Sequence, residues 1–132
     1  KYKIKNISIF QGNVLEFFDE IEINKLFDEI WILFPDPWPK KRHFKRRLIN
    51  ETFINNLNDI LKKNGNTHIV TDSKSYLRQI LGLAYLYRET YVWQNQTNTE
   101  WEFDPEECQK TKFYKKALNY DRKPIYINLR KL

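Results

Sequence analysis

The chain is organised around the stretch Leu26–Leu48, "LFDEIWILFPDPWPKKRHFKRRL". It includes a nearly unbroken apolar run, Glu29–Phe34, which is typical of a strand covered on both faces. Three prolines follow at positions 35, 37 and 39, and they exclude both a helix and a central strand. The strand is therefore predicted to end at Phe34. Asp36 then lies two residues beyond its carboxyl end, between prolines that hold the backbone rigid.

The segment after the prolines is strongly basic. Six of the eight residues from Lys40 to Arg47 are Lys or Arg, and none is acidic. Their mutual repulsion is not relieved locally, whereas a phosphate backbone would relieve it. We therefore predict that the segment contacts nucleic acid, with a solvated helix face as the alternative. The predicted phosphate contacts are Lys41, Arg42, Lys45, Arg46 and Arg47.

Two aromatic residues and a histidine are interleaved with these cations. Trp38 and Phe44 suit either stacking on an extruded base or anchoring of the loop. His43 is predicted to be a phosphate contact or a packing residue rather than a catalytic base, because the neighbouring cations disfavour its protonated form.

The pattern of apolar residues predicts alternating strands and helices. The predicted strands are Ile4–Phe10, Glu29–Phe34, Thr67–Thr71, Arg88–Asn95 and Lys123–Lys131. The predicted helices lie in Val14–Phe27, Leu48–Leu61 and Ser75–Tyr87, with Lys110–Tyr120 as either helix or loop. "KKNG" at residues 62–65 is predicted to stop the second helix, and Thr97–Gln109 is predicted to be irregular. This order indicates an α/β fold with a mostly parallel sheet.

Two acidic residues follow neighbouring strands of this predicted sheet. Asp36 follows the most apolar strand, and Asp72 follows Thr67–Thr71. Ligands bind beyond the carboxyl ends of parallel strands, so both carboxylates are expected to face one crevice. The alternatives are that Asp72 caps the next helix and that Asp36 fills a turn.

Composition narrows the class of protein. The 132 residues favour one domain, and a net charge of +6 favours a polyanionic partner. A single cysteine, Cys108, excludes an intrachain disulfide and favours a reducing compartment such as the cytoplasm. No metal site and no membrane span are expected, because metal-ligand patterns and long apolar runs are absent from the sequence. There is no methionine, so the chain is expected to be part of a longer translation product.

The segment Phe34–Leu48, "FPDPWPKKRHFKRRL", resembles the signature of the bacterial tRNA (guanine-N7-)-methyltransferases. The resemblance continues at Thr71–Asp72 and at Thr111–Phe113, "TKF", which are weak motifs alone. It implies a Rossmann-like methyltransferase fold and S-adenosylmethionine as cofactor. It also implies methylation of N7 of a guanosine in the variable loop of tRNA.

The resemblance assigns roles to individual residues. Asp36 matches the aspartate of the catalytic and cofactor region, and Asn13 falls near the position that contacts the cofactor adenine. Lys40, Asp72 and Thr111 match substrate-binding positions.

Two departures from the family pattern are visible. Tyr114 stands where the family usually has Glu after "TKF". No glycine-rich loop, and no acidic residue after a second strand, precedes Lys1. The chain, residues 1–132, is therefore expected to be the C-terminal part of a single methyltransferase domain that lacks the first two strands and the glycine-rich loop. Its first strand would then have no neighbour from this chain, and the chain alone is expected to be inactive.

Two other functions fit the same residues less closely. An amino-methyltransferase acting on nucleic acid carries a related Asn/Asp-Pro-Pro-aromatic motif after its fourth strand, whereas this chain has "PDPW" at Pro35–Trp38. A non-catalytic basic tRNA-binding module would agree with Tyr114 and with the absent cofactor half. The sequence does not specify the oligomeric state.

Overall fold

The computed structural model describes residues 5–20, 26–95, 97–102 and 111–132 of the chain. These residues form four strands, five α-helices and one 3₁₀-helix. In chain order they are α1 (Val14–Glu20), β1 (Phe27–Leu33), the 3₁₀-helix (Lys41–Arg46), α2 (Glu51–Ile60), β2 (Leu61–Thr71), α3 (Lys74–Leu86), β3 (Tyr91–Trp93), α4 (Asn98–Trp101), α5 (Lys112–Asn119) and β4 (Ile125–Lys131). No α-helix in these ranges is long and apolar enough to cross a bilayer.

The four strands form one sheet in the order β1-β2-β4-β3. β1 and β2 are parallel, whereas β4 runs antiparallel to both of its neighbours. Three strands therefore point the same way and β4 points the opposite way. The predicted α/β architecture is confirmed, with a mixed sheet in which the last strand is inserted between β2 and β3.

The core lies between one face of the sheet and the helices α2 and α3. α2 begins at Asn50, whose side chain accepts a hydrogen bond from the backbone N–H of Phe53 at 2.9 Å. Its apolar residues recur at helical spacing and are buried against the strands. The cluster includes Phe53, Leu57 and Ile60 from α2, Tyr76 and Ile80 from α3, and Ile69, Ile127 and Leu129 from the sheet.

The opposite face of the sheet carries aromatic side chains that stack on one another. Trp31 stacks on His68, with ring centroids 4.1 Å apart, and the ring of His68 lies parallel to that of Tyr126. Burial lowers the pKa of His68, and the nearby Glu29 opposes this shift. Trp31 is nevertheless 42% exposed and Leu33 is 40% exposed. The prediction that this strand is covered on both faces is therefore wrong within the described residues.

The first predicted strand is also wrong where the structure describes it. Residues 5–10 form no strand, and Ile9 is 90% exposed. Alternation of apolar and polar residues produces a strand only where a neighbouring strand completes the backbone hydrogen bonds. Within the described ranges, β1 lies at the edge of the sheet and is paired with β2 alone, so residues 5–10 have no strand partner.

Several predicted boundaries shift. The first helix is described over Val14–Glu20, residues 21–25 lie outside the described ranges, and Phe27 belongs to β1. The strand predicted for residues 88–95 is reduced to Tyr91–Trp93, because residues 87–90 form a turn. Lys110–Tyr120 was predicted to be either helix or loop, and its residues 112–119 form α5. The region predicted to be irregular contains the short α4, and its residues 103–109, with Cys108, lie outside the described ranges.

The segment "KKNG" lies inside β2 rather than before it. The helix predicted over Leu48–Leu61 spans Glu51–Ile60, and β2 starts immediately at Leu61. The register against β1 shifts between the pairs Phe27↔Leu61 and Glu29↔Asn66, which indicates a bulge that accommodates the extra residues.

Arg47 is a buried polar residue, and its position corrects the role predicted for it. It was predicted to contact a phosphate, yet it is only 1% exposed. Its Nε donates a hydrogen bond to the carbonyl of Pro37 at 2.8 Å. Its two Nη atoms donate to the carbonyl and the hydroxyl of Ser75 and to the side-chain oxygen of Gln79, at 2.9–3.2 Å. All five N–H groups of a guanidinium are donors, so these contacts use most of its capacity.

Aromatic rings enclose the same guanidinium. Its carbon atom lies 3.6 Å from the ring centroid of Phe44 and 4.9 Å from that of Tyr76. Cation–π attraction in a desolvated setting stabilises such an arrangement. Burial lowers the pKa of Arg47, with Tyr76 opposing, but arginine remains charged at physiological pH. Arg47 therefore joins the loop after β1 to the start of α3 and is not available to a phosphate.

We predict that Gly65→Ala destabilises the protein by about 1–3 kcal/mol. A Cβ at Gly65 would lie 2.9 Å from the backbone oxygen of Asp28 and from two atoms of the Leu61 side chain. Relieving this overlap would require the backbone at Asp28 to move, which costs stability. Gly82→Ala in α3 is the matched control, because its Cβ would meet nothing within 4 Å. Urea denaturation should show Gly82→Ala to be neutral or stabilising. Equal stability of the two variants would contradict the close approach at Gly65.

We also predict that Arg47→Lys lowers the free energy of unfolding by about 2–4 kcal/mol. Lysine keeps the charge but cannot reach Pro37, Ser75 and Gln79 together. Arg46→Lys is the control, since Arg46 is exposed, and it should change stability by less than about 0.5 kcal/mol. Chemical denaturation of both variants measures the difference, and a small effect at Arg47 would contradict its bridging role.

Candidate active site

The two predicted carboxylates meet at the carboxyl ends of β1 and β2. Asp36 and Asp72 line one cavity of about 430 Å³, a volume within the usual range for small-ligand sites. The full lining is Phe34, Pro35, Asp36, Pro37, Asp72, Phe113, Lys116 and Arg122. The parallel pairing of β1 with β2 explains the arrangement, because it brings both carboxyl ends to the same edge of the sheet.

The loop that carries Asp36 has an unusual backbone. Phe34 and Trp38 have φ values of 51° and 39°, in the left-handed region that favours glycine. Phe34 still donates its N–H to the carbonyl of Val70 at 2.9 Å, which extends the ladder from β1 to β2. One carboxylate oxygen of Asp36 accepts the N–H of Trp38 at 3.2 Å. Strain of this kind persists only where the surroundings hold it, here the prolines and the bond from Arg47 to Pro37.

Asp72 does not cap α3. The cap is Ser73, whose hydroxyl accepts the N–H of Tyr76 at 3.3 Å. Asp72 instead forms an ion pair with Arg122, with 3.1 Å between Oδ2 and Nε, and its side chain is only 16% exposed. The capping alternative for Asp72 is therefore excluded, and its carboxylate belongs to the cavity.

The other cations of the basic segment lie on the surface beside this loop. The exposed ones are Lys40, Lys41, Arg42, Lys45 and Arg46. The guanidinium of Arg46 lies 5.0 Å from the ring centroid of Trp38, and the ring of His43 meets Trp38 edge to face. Arg42 donates from Nε to Nε2 of His43 at 3.3 Å. Trp38 and His43 thus pack the 3₁₀-helix against the loop, while the cations point outward.

Helix α5 closes one side of the cavity. Thr111 caps it by accepting the N–H of Tyr114 at 3.2 Å. Phe113 stacks on Phe34, with ring centroids 6.2 Å apart. Of the "TKF" motif, Phe113 lines the cavity, whereas Thr111 contributes through the helix cap. Phe113 and Lys116 were not predicted from the sequence as lining residues. Their spacing of three residues places both on one face of a helix, which was the available signal.

Asn13 is the residue for which the resemblance implies a position near the cofactor adenine. It precedes α1, and its side-chain oxygen accepts the N–H of Leu15 at 3.0 Å. It is not among the residues that line the cavity with Asp36. Among the residues that the structure describes, no group of three or more His, Cys, Asp or Glu side chains is placed to hold a metal ion.

Comparison with known proteins places the chain in a family. Residues 1–126 match a family model described as "Putative methyltransferase". The chain is 30% identical over 127 residues to a tRNA (guanine-N(7)-)-methyltransferase of Ruegeria pomeroyi, covering 96% of this chain and 52% of that relative. A protein of the same name from Leptospira interrogans is 40% identical over 83 residues, covering 63% of this chain and 38% of the relative. One from Nitrosococcus oceani is 42% identical over 77 residues, covering 58% and 33%.

The chain therefore spans about half the length, or less, of these curated relatives. The match to the family model nevertheless covers nearly all of the chain and includes the loop with Asp36, the basic segment and Asp72. On this ground the chain belongs to the methyltransferase family that the model defines.

Proposed function

We propose that this chain acts, in the cytoplasm, in the transfer of a methyl group from S-adenosylmethionine to N7 of a guanosine in the variable loop of tRNA. The observation that carries the proposal is the cavity shared by Asp36 and Asp72, whose loop continues along the chain into a run of exposed cations. The names of the relatives support the same reaction. S-adenosylmethionine would supply an electrophilic methyl group when bound.

The chemistry of guanine N7 suits two carboxylates. N7 carries an in-plane lone pair and attacks without losing a proton, so alignment and electrostatics provide the rate enhancement. Attack places positive charge on the purine ring, and a nearby carboxylate stabilises that charge. An ionised carboxylate also accepts hydrogen bonds, here from N1–H and N2–H₂ of the base. We assign this role to Asp36, with Asp72 assisting.

The cavity also offers surfaces to a planar base. Phe34 and Phe113 lie against each other at its wall, and aromatic faces stack favourably on bases. The guanosine must leave the tRNA stack to enter, which costs a few kcal/mol. Phosphate contacts from Lys41, Arg42, Lys45 and Arg46 would offset that cost, and Lys40 would bind closest to the loop.

Asn13 and Asp36 are the two residues that we assign to the cofactor. Asp36 is exposed and lines the cavity, whereas Asn13 precedes α1 and is not among the lining residues. Asn13 and Asp36 would hold S-adenosylmethionine only together with further residues. We therefore assign the described cavity to the base.

We predict that Asp36→Asn lowers kcat/KM for methylation of tRNA by about 100-fold in the natural polypeptide that contains this chain. tRNA affinity should change by less than about threefold, because the phosphate contacts remain. Asp28→Asn is the control. It removes an exposed carboxylate at the other end of β1, where the ion pair with Lys62 contributes little. Transfer at near wild-type rate by Asp36→Asn would contradict the assigned role.

The product identifies the reaction independently of any variant. Digestion of the methylated tRNA to nucleosides should yield 7-methylguanosine. Recovery of N6-methyladenosine would instead indicate an amino-methyltransferase. tRNA binding without any methyl transfer would indicate a non-catalytic module. The replacement of the family's Glu by Tyr114 would be consistent with that outcome.

A further inference from the structure

We infer that Arg122 is a positioning residue for Asp72: it holds one carboxylate oxygen so that the other is presented to the base. This inference rests on the proposed function of the shared cavity. The resemblance assigns no role to Arg122, and the residue lies outside the three sequence motifs that suggest the family.

The backbone of Arg122 is fixed by the end of α5. The N–H of Arg122 donates to the carbonyl of Ala117 at 2.9 Å, and the N–H of Asp121 donates to that of Leu118 at 3.0 Å. Asp121 has a φ of 53°, in the left-handed region. This pair of bonds with a left-handed residue is the Schellman arrangement that ends a helix. It sets the position from which the Arg122 side chain extends.

The side chain is fixed at two further points. Its Nε lies 3.1 Å from Oδ2 of Asp72, and its guanidinium carbon lies 5.3 Å from the ring centroid of Tyr120. The Asp72 side chain is 16% exposed and that of Arg122 is 47% exposed, so the pair is partly shielded from water. The geometry thus combines a locked backbone, a ring contact and an ion pair.

Arg122 also lies where two cavities meet. It lines the 430 Å³ cavity with Asp36, and it lines a neighbouring cavity of about 740 Å³. Asp72 lines both as well. The ion pair therefore belongs to the wall between the two spaces, and Asp72 can present its second oxygen to a ligand while the first is held.

This contact meets two needs of the proposed site. Two carboxylates at one cavity repel each other, and a cation on one of them offsets that repulsion. A carboxylate has two oxygens and about four acceptor sites, so a bond at Oδ2 leaves Oδ1 free to accept from guanine. Without Arg122, Asp72 would rotate and bind water, and its alignment with the base would be lost.

A different role for Arg122 would be a direct phosphate contact. The two roles differ in their dependence on salt. A phosphate contact adds about 0.7–0.9 to the slope of log affinity against log salt concentration, whereas a positioning residue adds nothing. The two roles also differ in the energetic coupling between Arg122 and Asp72. If Arg122 acts through Asp72, replacing Arg122 has no further effect once Asp72 has been replaced.

The test is a double-mutant cycle in the natural polypeptide, with tRNA methylation and tRNA affinity measured for Arg122→Gln, Asp72→Asn and the double variant. We expect Arg122→Gln to lower kcat/KM by about 10- to 100-fold, and the double variant to match Asp72→Asn. The salt slope should stay at its wild-type value. Arg122→Lys keeps the charge and should recover part of the activity. If Arg122→Gln fails to fold, Arg122→Lys takes its place in the double-mutant cycle.

Arg42→Gln is the matched control for the salt slope. Arg42 is exposed and is a proposed phosphate contact, so its replacement should reduce the slope by about 0.7–0.9. Independent, additive losses at Arg122 and Asp72, or a reduced slope for Arg122→Gln, would overturn the inference. Wild-type activity of Arg122→Gln would overturn it too. Absence of tRNA methylation by the wild-type protein would instead overturn the proposed function.

Discussion

The guanidinium of Arg47, nearly sealed from water, donates hydrogen bonds to the carbonyl of Pro37, to both oxygens of Ser75 and to Gln79. Pro37 follows Asp36 directly, and Ser75 lies three residues after Asp72. Arg47 therefore joins the loop that carries Asp36 to the segment that follows Asp72, in addition to the parallel pairing of β1 with β2. Arg47 has no carboxylate partner among the described residues. It bonds backbone and neutral oxygens instead, so it does not neutralise the carboxylates of Asp36 and Asp72.

The same arrangement explains the strained loop. Left-handed conformations at Phe34 and Trp38 each cost about 1 kcal/mol or more, and a free loop would relax them. The ladder bond from Phe34 to Val70 holds one end, and Arg47 holds the other through Pro37. Helix α5 then adds Phe113 from one side and Arg122 from its end. The site is thus assembled from β1, β2, α3 and α5, and no single segment of the sequence contains it.

The sequence predicted those parts of the site that follow from strand direction. Prolines after an apolar run placed Asp36 past the end of β1, and parallel pairing placed Asp72 beside it. It did not predict which cation of the basic run points inward, because charge alone does not distinguish Arg47 from Arg46. The available signal was position: Arg47 directly precedes the apolar pair Leu48 and Ile49, and Ile49 is fully buried. The strand predicted at residues 4–10 does not form at residues 5–10, the part that the structure describes, because alternation favours a strand but does not supply a neighbouring strand.

The arrangement of the site depends on the Arg47 guanidinium being locked between the loop after β1 and the start of α3. Hydrogen exchange of arginine Nε–H groups, followed by ¹⁵N NMR, tests it most directly. We expect a single Arg47 Nε–H resonance that exchanges at least about 100-fold more slowly than that of exposed Arg46, because exchange requires opening of the buried network. Exchange of the Arg47 Nε–H at the rate of Arg46 would show that the guanidinium is not locked.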